Sequence, residues 1–304
     1  MHQVYDEIQK KMSDELSNDT PQQAARRAFE ALIAGEDAAI DLAQAALLIA
    51  NEEYPHLNVT YYLARLDALA LRVRELAGVF ESDTLPQLPR EEVLEAINRV
   101  LFEQEHFHGN LDDYYDPRNS FLNDVLERQT GIPITLSLLY MEVGRRVGVQ
   151  LEGIGLPFHF VVRCRLPDSM IYIDPYESGR FLSEQECRER VLRLLKGRAS
   201  FNPRWLEPVT HRQFLVRLLN NLKHIYVQKE DFERALSICD RILLLTPTAA
   251  PERRDRGIIH LRLKHYSRAL RDLNAYVKLA PEDEDIDEVI QQIKTIRQIM
   301  AMMN

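Results

Sequence analysis

The chain has 304 residues, of which 45% are hydrophobic, and a formal net charge of −9 at pH 7. That length and hydrophobic content allow one large or two ordinary globular domains, and they exclude disordered and fibrous proteins. The negative charge argues against general nucleic-acid binding, because such affinity comes mostly from Lys and Arg side chains that neutralise phosphates. We therefore expect no nucleic-acid partner.

The cysteines and the first residues bear on the cellular compartment. Cys164, Cys187 and Cys239 are odd in number and lack metal-binding spacing, which favours reduced thiols over a disulfide framework or a zinc site. Residues 1–19 form a polar leader without the pattern of a secretory signal, and no apolar run reaches the roughly 18 residues of a membrane span. We therefore expect a cytoplasmic protein with no membrane partner.

The first hundred residues after the leader predict helices. Thr20-Pro21-Gln22-Gln23 combines an N-cap, a proline at the first helical position and a reciprocal Gln, and it predicts a helix that ends near Gly35. Apolar residues around most of the helical circumference predict a buried, central helix over 37–54. Two more helices are predicted on either side of the proline-bearing linker SDTLPQLPR, at 60–77 and 89–105.

The middle of the chain mixes a polar loop, helices and strands. The loop GNLDDYYDPRNS precedes two predicted helices, at 121–128 and 133–147. Short stretches rich in branched and aromatic residues then predict an antiparallel meander, at 151–154, 158–165 and 170–173. Residues 166–169 form the hairpin connection between the last two strands. A capping box at Ser183 and Glu186 predicts a further helix to about Lys196, and Thr210 with Gln213 marks another start.

The C-terminal part contains an internal repeat. DFERALSICDRILLLTP and HYSRALRDLNAYVKLAP superimpose with a shift of 34 residues, which pairs Ala235 with Ala269. This period, with a small residue where two helices touch and a proline after the second helix, is typical of tetratricopeptide repeats. A final helix over 285–300 would cap them. We predict a mostly helical α+β protein, with a helical layer and small antiparallel sheet over 20–207 and a short helical solenoid over 208–304.

Three segments of the middle region follow one another in a recognisable order: GIPITLSLLYMEVGRRVGV, PFHFVVR and YIDPY. They resemble the transglutaminase-like superfamily, whose Cys, His and Asp triad has the same order along the chain. With the repeats, the resemblance extends over residues 37–281 to the bacterial transglutaminase-like proteins that carry tetratricopeptide repeats. It matches His159 to the catalytic histidine and Asp174 to the aspartate, while Pro133 falls on the position of the nucleophilic cysteine.

The residue at position 133 limits the chemistry. A proline has neither thiol nor hydroxyl, so the ordinary thiol mechanism is excluded there, whereas its fixed φ suits a first helical turn. Ser137, one turn further along the helix, is a substitute nucleophile or else a packed hydroxyl. His159 and Asp174 are interpreted either as a relict pair that joins two strands or as a retained binding or catalytic pair.

Other polar residues are candidates for the surroundings of this pair. Arg163 is expected to share a face with His159 and to pair with Asp174. Tyr115 and Asn119 either form an ordered turn or wall the pocket opposite His159. The acids and histidines of residues 103–116 lack tight ligand spacing, so we interpret them as a polar loop and expect neither metal nor cofactor.

The functional prediction follows from the repeats and the replaced cysteine. The second repeat is basic, and it either docks an acidic partner or is a solvated face; its cations include Arg253, Arg256, Arg262, Lys264 and Arg268. We predict a non-catalytic protein-binding, scaffolding or regulatory protein that contacts a protein partner through the repeat tail. The alternative is a peptidase or amidase that uses His159 and Asp174 with a non-cysteine nucleophile.

Overall fold

The computed structural model describes residues 19–78 and 89–303. The predicted polar leader and most of the predicted linker SDTLPQLPR lie outside the described residues. The described residues fall into two compact units. The first runs to His211 without residues 115–117, and the second contains those three residues and the chain from Arg212 onward. The mostly helical α+β architecture predicted from the sequence is confirmed.

The helices of the first unit begin where the sequence supplies caps. Their bounds are α1 Pro21–Ile33, α2 Leu42–Glu53, α3 Val59–Leu76, α4 Arg90–Asn98, α5 Leu122–Arg128, α6 Pro133–Arg146 and α7 Glu184–Leu195. At α1 the predicted capping box is formed, because the backbone N–H of Gln23 donates to Thr20 Oγ1 and that of Thr20 to Gln23 Oε1. Ser183 and Glu186 form the same box at α7.

Two predicted helices differ in detail from the structure. The stretch 37–54 is a short 3₁₀ turn followed by α2, because the Asp41 carboxylate accepts a hydrogen bond of 2.8 Å from the Gln44 N–H and starts a new helix. The helix over 89–105 continues beyond α4 as a π-helical segment, Arg99–Gln104. As predicted, α2 is buried on several sides, and it packs against α1, α3, α5 and α6.

The sheet of the first unit is an antiparallel meander of consecutive strands. Its strands are β3 Leu151–Ile154, β4 Val161–Arg165, β5 Met170–Asp174 and β6 Arg180–Leu182. The predicted hairpin between β4 and β5 is closed by the Leu166 N–H, which donates to the Ser169 carbonyl at 2.9 Å. The sequence did not indicate β6, nor the short parallel pair of β1 His108–Gly109 with β2 Thr130–Gly131. Two or three residues are too few for a readable alternation.

The second unit is a succession of helices. They are α8 His211–Gln228, which starts at the last residue of the first unit, α9 Phe232–Leu245, α10 Ala250–Arg262, α11 Tyr266–Leu279 and α12 Ile286–Met303. Ala235 and Ala269 are both completely buried, as expected for small residues where paired helices touch. Over residues 19–78 and 89–303, none of the helices has the length and apolar character needed to cross a bilayer.

Candidate functional site

The start of α6 is fixed by a threonine and a proline. Pro133 occupies the first helical turn, where its missing N–H and fixed φ cause no loss of bonding. Thr135 Oγ1 accepts from the Ile132 N–H at 3.1 Å and donates to the Asn119 carbonyl at 2.8 Å. The hydroxyl nearest to Pro133 in sequence is therefore occupied in holding the helix start.

His159 and Asp174 lie at the same end of the meander, one just before β4 and the other at the end of the antiparallel β5. His159 follows a turn in which its N–H donates to the Leu156 carbonyl at 3.2 Å, just before β4. Asp174 is the last residue of β5, and its Oδ1 accepts from the N–H groups of Tyr176 and Glu177 at 3.0 and 3.3 Å. The other carboxylate oxygen, Oδ2, lies 2.7 Å from His159 Nε2. The two residues that the sequence singled out therefore meet across the sheet end.

An arginine that the sequence did not single out completes this cluster. Arg190 of α7 donates from Nη1 to Asp174 Oδ2, and the same nitrogen lies 3.0 Å from His159 Nε2. Its Nη2 pairs with Glu177 at 2.8 Å. The only sequence feature that pointed to Arg190 was the basic composition of the helix after Ser183. The local sequence does not indicate which of the cations on that helix faces the sheet.

The prediction that Arg163 pairs with Asp174 is wrong. Arg163 lies opposite Glu152 in the β3–β4 register, and its Nε donates to Glu152 Oε2 at 2.8 Å. Its Nη1 donates to the Leu206 carbonyl at 3.2 Å. Arg163 lies opposite Tyr172 in the β4–β5 register and so shares the face of Asp174, but it is two residues further along the sheet, and Glu152 directly opposite it on β3 is the nearer acid.

The contacts of Asp174 keep it ionised. Burial acts to raise the pKa of this carboxyl, but the hydrogen bond from His159 and the charge of Arg190 outweigh burial, so the pKa lies below its ordinary value. An ionised carboxylate only accepts hydrogen bonds, so His159 donates to it from Nε2. The other ring nitrogen, Nδ1, is then the one that could face a nucleophile or substrate.

A cavity of about 430 Å³ opens beside this cluster. Its lining includes Tyr114, Pro133, Phe158, His159, Tyr176 and Arg190. Pro133, which the resemblance matches to the position of the cysteine, and His159 therefore border the same space. The side chain of Pro133 contains only carbon and hydrogen, so it offers no nucleophilic atom there.

Tyr176 forms one wall and is held by the polar loop. Its ring stands edge-on to the His159 ring, with centroids 6.1 Å apart, and its hydroxyl donates to the Asn110 carbonyl at 3.1 Å. Gly109 of β1 lies against the same ring, and a methyl group at this position would be 2.7 Å from Tyr176 Cζ. The absence of a side chain at Gly109 therefore permits this position of Tyr176.

Ser137 does not line this cavity. Its side chain is fully buried, and its hydroxyl has no hydrogen-bond partner among the residues that the structure describes. Four residues of helix advance about 6 Å along the axis and turn about 40° past a full circle, which takes Ser137 from the rim into the interior. The substitute triad with Ser137 is therefore not assembled, and the packed-hydroxyl interpretation fits.

The cysteines offer no replacement thiolate. Cys164 and Cys187 of the first unit are completely buried. Burial raises the pKa of the Cys164 thiol, and it raises the pKa of Cys187 to about 12 despite the nearby Arg190. In the second unit, burial likewise raises the pKa of Cys239. At neutral pH these residues are protonated, buried thiols.

Asn119 and Tyr115 do not wall the cavity. Asn119 is buried and orders the loop, since its Nδ2 donates to the Asp113 carbonyl at 2.8 Å and its Oδ1 accepts from Asn110 Nδ2 at 3.0 Å. The neighbouring Tyr114 of the same loop does line the cavity. The ordered-turn interpretation of Asn119 is therefore the one that fits. Within the described part of the chain, no group of three or more His, Cys, Asp or Glu is placed to hold a metal ion.

The basic residues of the second repeat divide into two sets. Arg256 pairs with Asp240 and Asp272 at 2.7 Å each, and Arg253 approaches Asp272 at 3.4 Å. Asp240 of α9 and Asp272 of α11 therefore neutralise these two arginines within the second unit, which makes them less available to an acidic partner. Three other cations of this repeat are exposed and form no ion pair with residues 19–78 or 89–303: Arg262, Lys264 and Arg268. Lys264 and Arg268 border a cavity of about 430 Å³ that is also lined by Tyr266, Met300 and Met303.

Comparisons with known proteins agree with this arrangement. Residues 60–220 match the transglutaminase-like superfamily, and residues 222–294 match the tetratricopeptide repeat. A UPF0162 protein of Xylella fastidiosa is 39% identical over 257 residues, which are 84% of this chain and 89% of that protein. A UPF0162 protein of Vibrio cholerae is 27% identical over 259 residues, 85% of this chain and 93% of that protein.

A shorter similarity links the chain to a mammalian protein. The F-box only protein 21 of Mus musculus is 39% identical over 132 residues, which are 41% of this chain and 20% of that protein. No solved structure matches the chain. From the matched segments and the near full-length relatives, the chain belongs to the transglutaminase-like superfamily, in the family of UPF0162 proteins, with tetratricopeptide repeats in its C-terminal part.

Proposed function

We propose that this protein is a non-catalytic binding or scaffolding protein, built on a degenerate transglutaminase-like core and a repeat tail that contacts a protein partner. The observation that carries the proposal is the position of Pro133 beside His159 in one cavity. Acyl transfer by a triad needs a nucleophile that the imidazole can deprotonate. The pyrrolidine ring of proline has no such atom.

The rest of the site supports a structural role for the retained pair. Asp174 joins the end of β5, the turn after it, His159 and Arg190 of α7 through one buried carboxylate. A buried charge is stabilising only when it is paired and hydrogen-bonded, and this one is. His159 and Asp174 would therefore stabilise the fold even in a protein that does not catalyse acyl transfer.

The rival function is a peptidase or amidase that uses His159 to activate a hydroxyl or a water molecule. It requires either a serine or threonine in the cavity or a water held between substrate and His159 Nδ1. The burial of Ser137 and the occupied hydroxyl of Thr135 weigh against the first route. Direct chemical labelling of the protein decides between the two functions.

The binding half of the proposal rests on the repeats. Tetratricopeptide units stack into surfaces that bind other proteins and do no chemistry themselves. The exposed Lys264 and Arg268 border an open cavity with methionine and tyrosine walls, and Arg262 is a further exposed cation two residues before Lys264. A basic rim around an apolar floor suits an acidic partner segment.

Affinity capture from the producing cells tests this docking surface. We expect the full chain to recover partners that the charge-reversed variant Arg262→Glu/Lys264→Glu/Arg268→Glu loses. A control with the same change in charge reverses three exposed cations elsewhere in the second unit, Lys278, Lys294 and Arg297. The control should retain the partners. Equal recovery by both variants and the native chain would contradict the assignment, provided that circular dichroism shows unchanged helicity.

A further inference from the structure

An exposed aromatic residue stands at the mouth of the His159 cavity. Phe158 is 73% exposed and has a φ of 60°, in the left-handed region that favours glycine. It lies with Pro157 at the centre of the turn closed by the His159 N–H and the Leu156 carbonyl. Neither burial nor backbone preference explains a phenylalanine here, and such outliers point to a role in binding.

Other large apolar side chains face the same space. Tyr114 is 39% exposed and Leu194 of α7 is 47% exposed, and both line the cavity with Phe158. Isolated exposed apolar residues need no explanation, but several around one concavity indicate a surface that another molecule covers.

The rim of the cavity carries one cation that the protein leaves without an acidic partner. Among the arginines of the lining, Arg190 is paired with Asp174 and Glu177. Arg180 is paired with Glu177 and Glu186, at 3.4 and 2.9 Å. Arg193 is exposed and forms no ion pair or hydrogen bond with the residues that the structure describes. The cavity thus presents a single unneutralised cation beside an apolar wall.

From this combination we infer that the His159 cavity binds an acidic peptide segment of a partner protein. A carboxylate of the segment pairs with Arg193, and an adjacent large apolar side chain packs on Phe158 and Leu194. One unpaired arginine matches one carboxylate, whereas a polyphosphate would need several cations to neutralise it. This site is separate from the basic cavity of the repeats, so either proposal survives the failure of the other.

Fluorescence anisotropy with the full chain tests this site. The probe is a fluorescein-labelled heptapeptide of alternating Glu and Leu, and its matched analogue has Gln in place of Glu. We expect saturable binding of the acidic peptide, and about tenfold weaker binding of the Gln analogue because the charged hydrogen bonds are lost. The variant Arg193→Gln should weaken the acidic peptide by about the same factor and leave the Gln analogue unchanged.

Phe158→Gly separates binding from folding. Glycine suits the positive φ, so the variant should unfold at the same temperature as the native chain or a higher one, yet bind both peptides about tenfold more weakly. Arg198→Gln, an exposed arginine outside the lining, is the control and should bind like the native chain. The inference is overturned if the acidic peptide does not saturate, if Arg193→Gln and Phe158→Gly bind normally, or if inorganic pyrophosphate displaces the peptide at lower concentrations than free glutamate does.

Discussion

Asp174 shows how one residue ties several elements together. Its carboxylate is fully buried and accepts from backbone N–H groups on one oxygen and from His159 and Arg190 on the other. Replacing it by Asn removes the charge but keeps the shape, and leaves Arg190 with Glu177 as its remaining acid. We expect Asp174→Asn to lower the free energy of unfolding by about 3 kcal/mol at pH 7. Guanidinium unfolding followed by the fluorescence of Trp205, the single tryptophan, measures it.

The same residue should make stability depend on acid pH. The pKa of Asp174 is lower in the folded than in the unfolded chain, so its stabilisation is fully present above about pH 4 and is lost as the pH falls through the lowered folded pKa. Below about pH 4 the native stability should therefore fall more steeply than that of Asp174→Asn. Parallel pH curves for the native chain and Asp174→Asn would contradict this assignment to Asp174.

Glu177→Gln removes a partly exposed acid from Arg190. It should lower the free energy of unfolding by less than about 1 kcal/mol at pH 7, because exposed ion pairs contribute little.

At the scale of elements, the short β1 strand fixes the wall of the cavity. Gly109 leaves room for the Tyr176 ring that stands edge-on to His159. Gly109→Ala should destabilise the protein by about 1 to 3 kcal/mol, because its methyl group meets a ring held by other contacts. Gly35→Ala is the matched control, since a methyl group there has nothing within 4 Å, and it should change stability by less than about 0.5 kcal/mol. Equal unfolding midpoints for the two variants would show that Tyr176 is not held in place.

The elements also show what the sequence could predict. Helix starts were readable because capping is local, as at Thr20 and Ser183, where the side chain bonds the backbone three residues on. The meeting of Arg190 with Asp174 was not readable, because it depends on how α7 packs against β5. The partner of Arg163 was not readable either, because the strand register, which places Glu152 directly opposite Arg163 and Asp174 two residues away, is not encoded in the local sequence.

At the scale of the whole molecule, two compact units carry different kinds of surface. The first contains the triad-like cavity, with its proline, and the second contains the repeats with their exposed cations. The repeat period and the order of motifs predicted both parts, because each is a pattern of residue types along the chain. The division of the basic repeat into paired and unpaired cations needed the three-dimensional positions of Asp240 and Asp272.

In the native protein we expect no side chain to act as a nucleophile with His159. Intact-mass measurement tests it after incubation with fluorophosphonate and vinyl sulfone probes, which label activated hydroxyls and thiols. Pro133→Cys is the positive control, because a thiol at the start of α6 beside His159 should ionise readily and form an adduct that His159→Ala suppresses. We expect the native chain to form no adduct that depends on His159. A probe adduct on the native chain that disappears in His159→Ala would contradict the account.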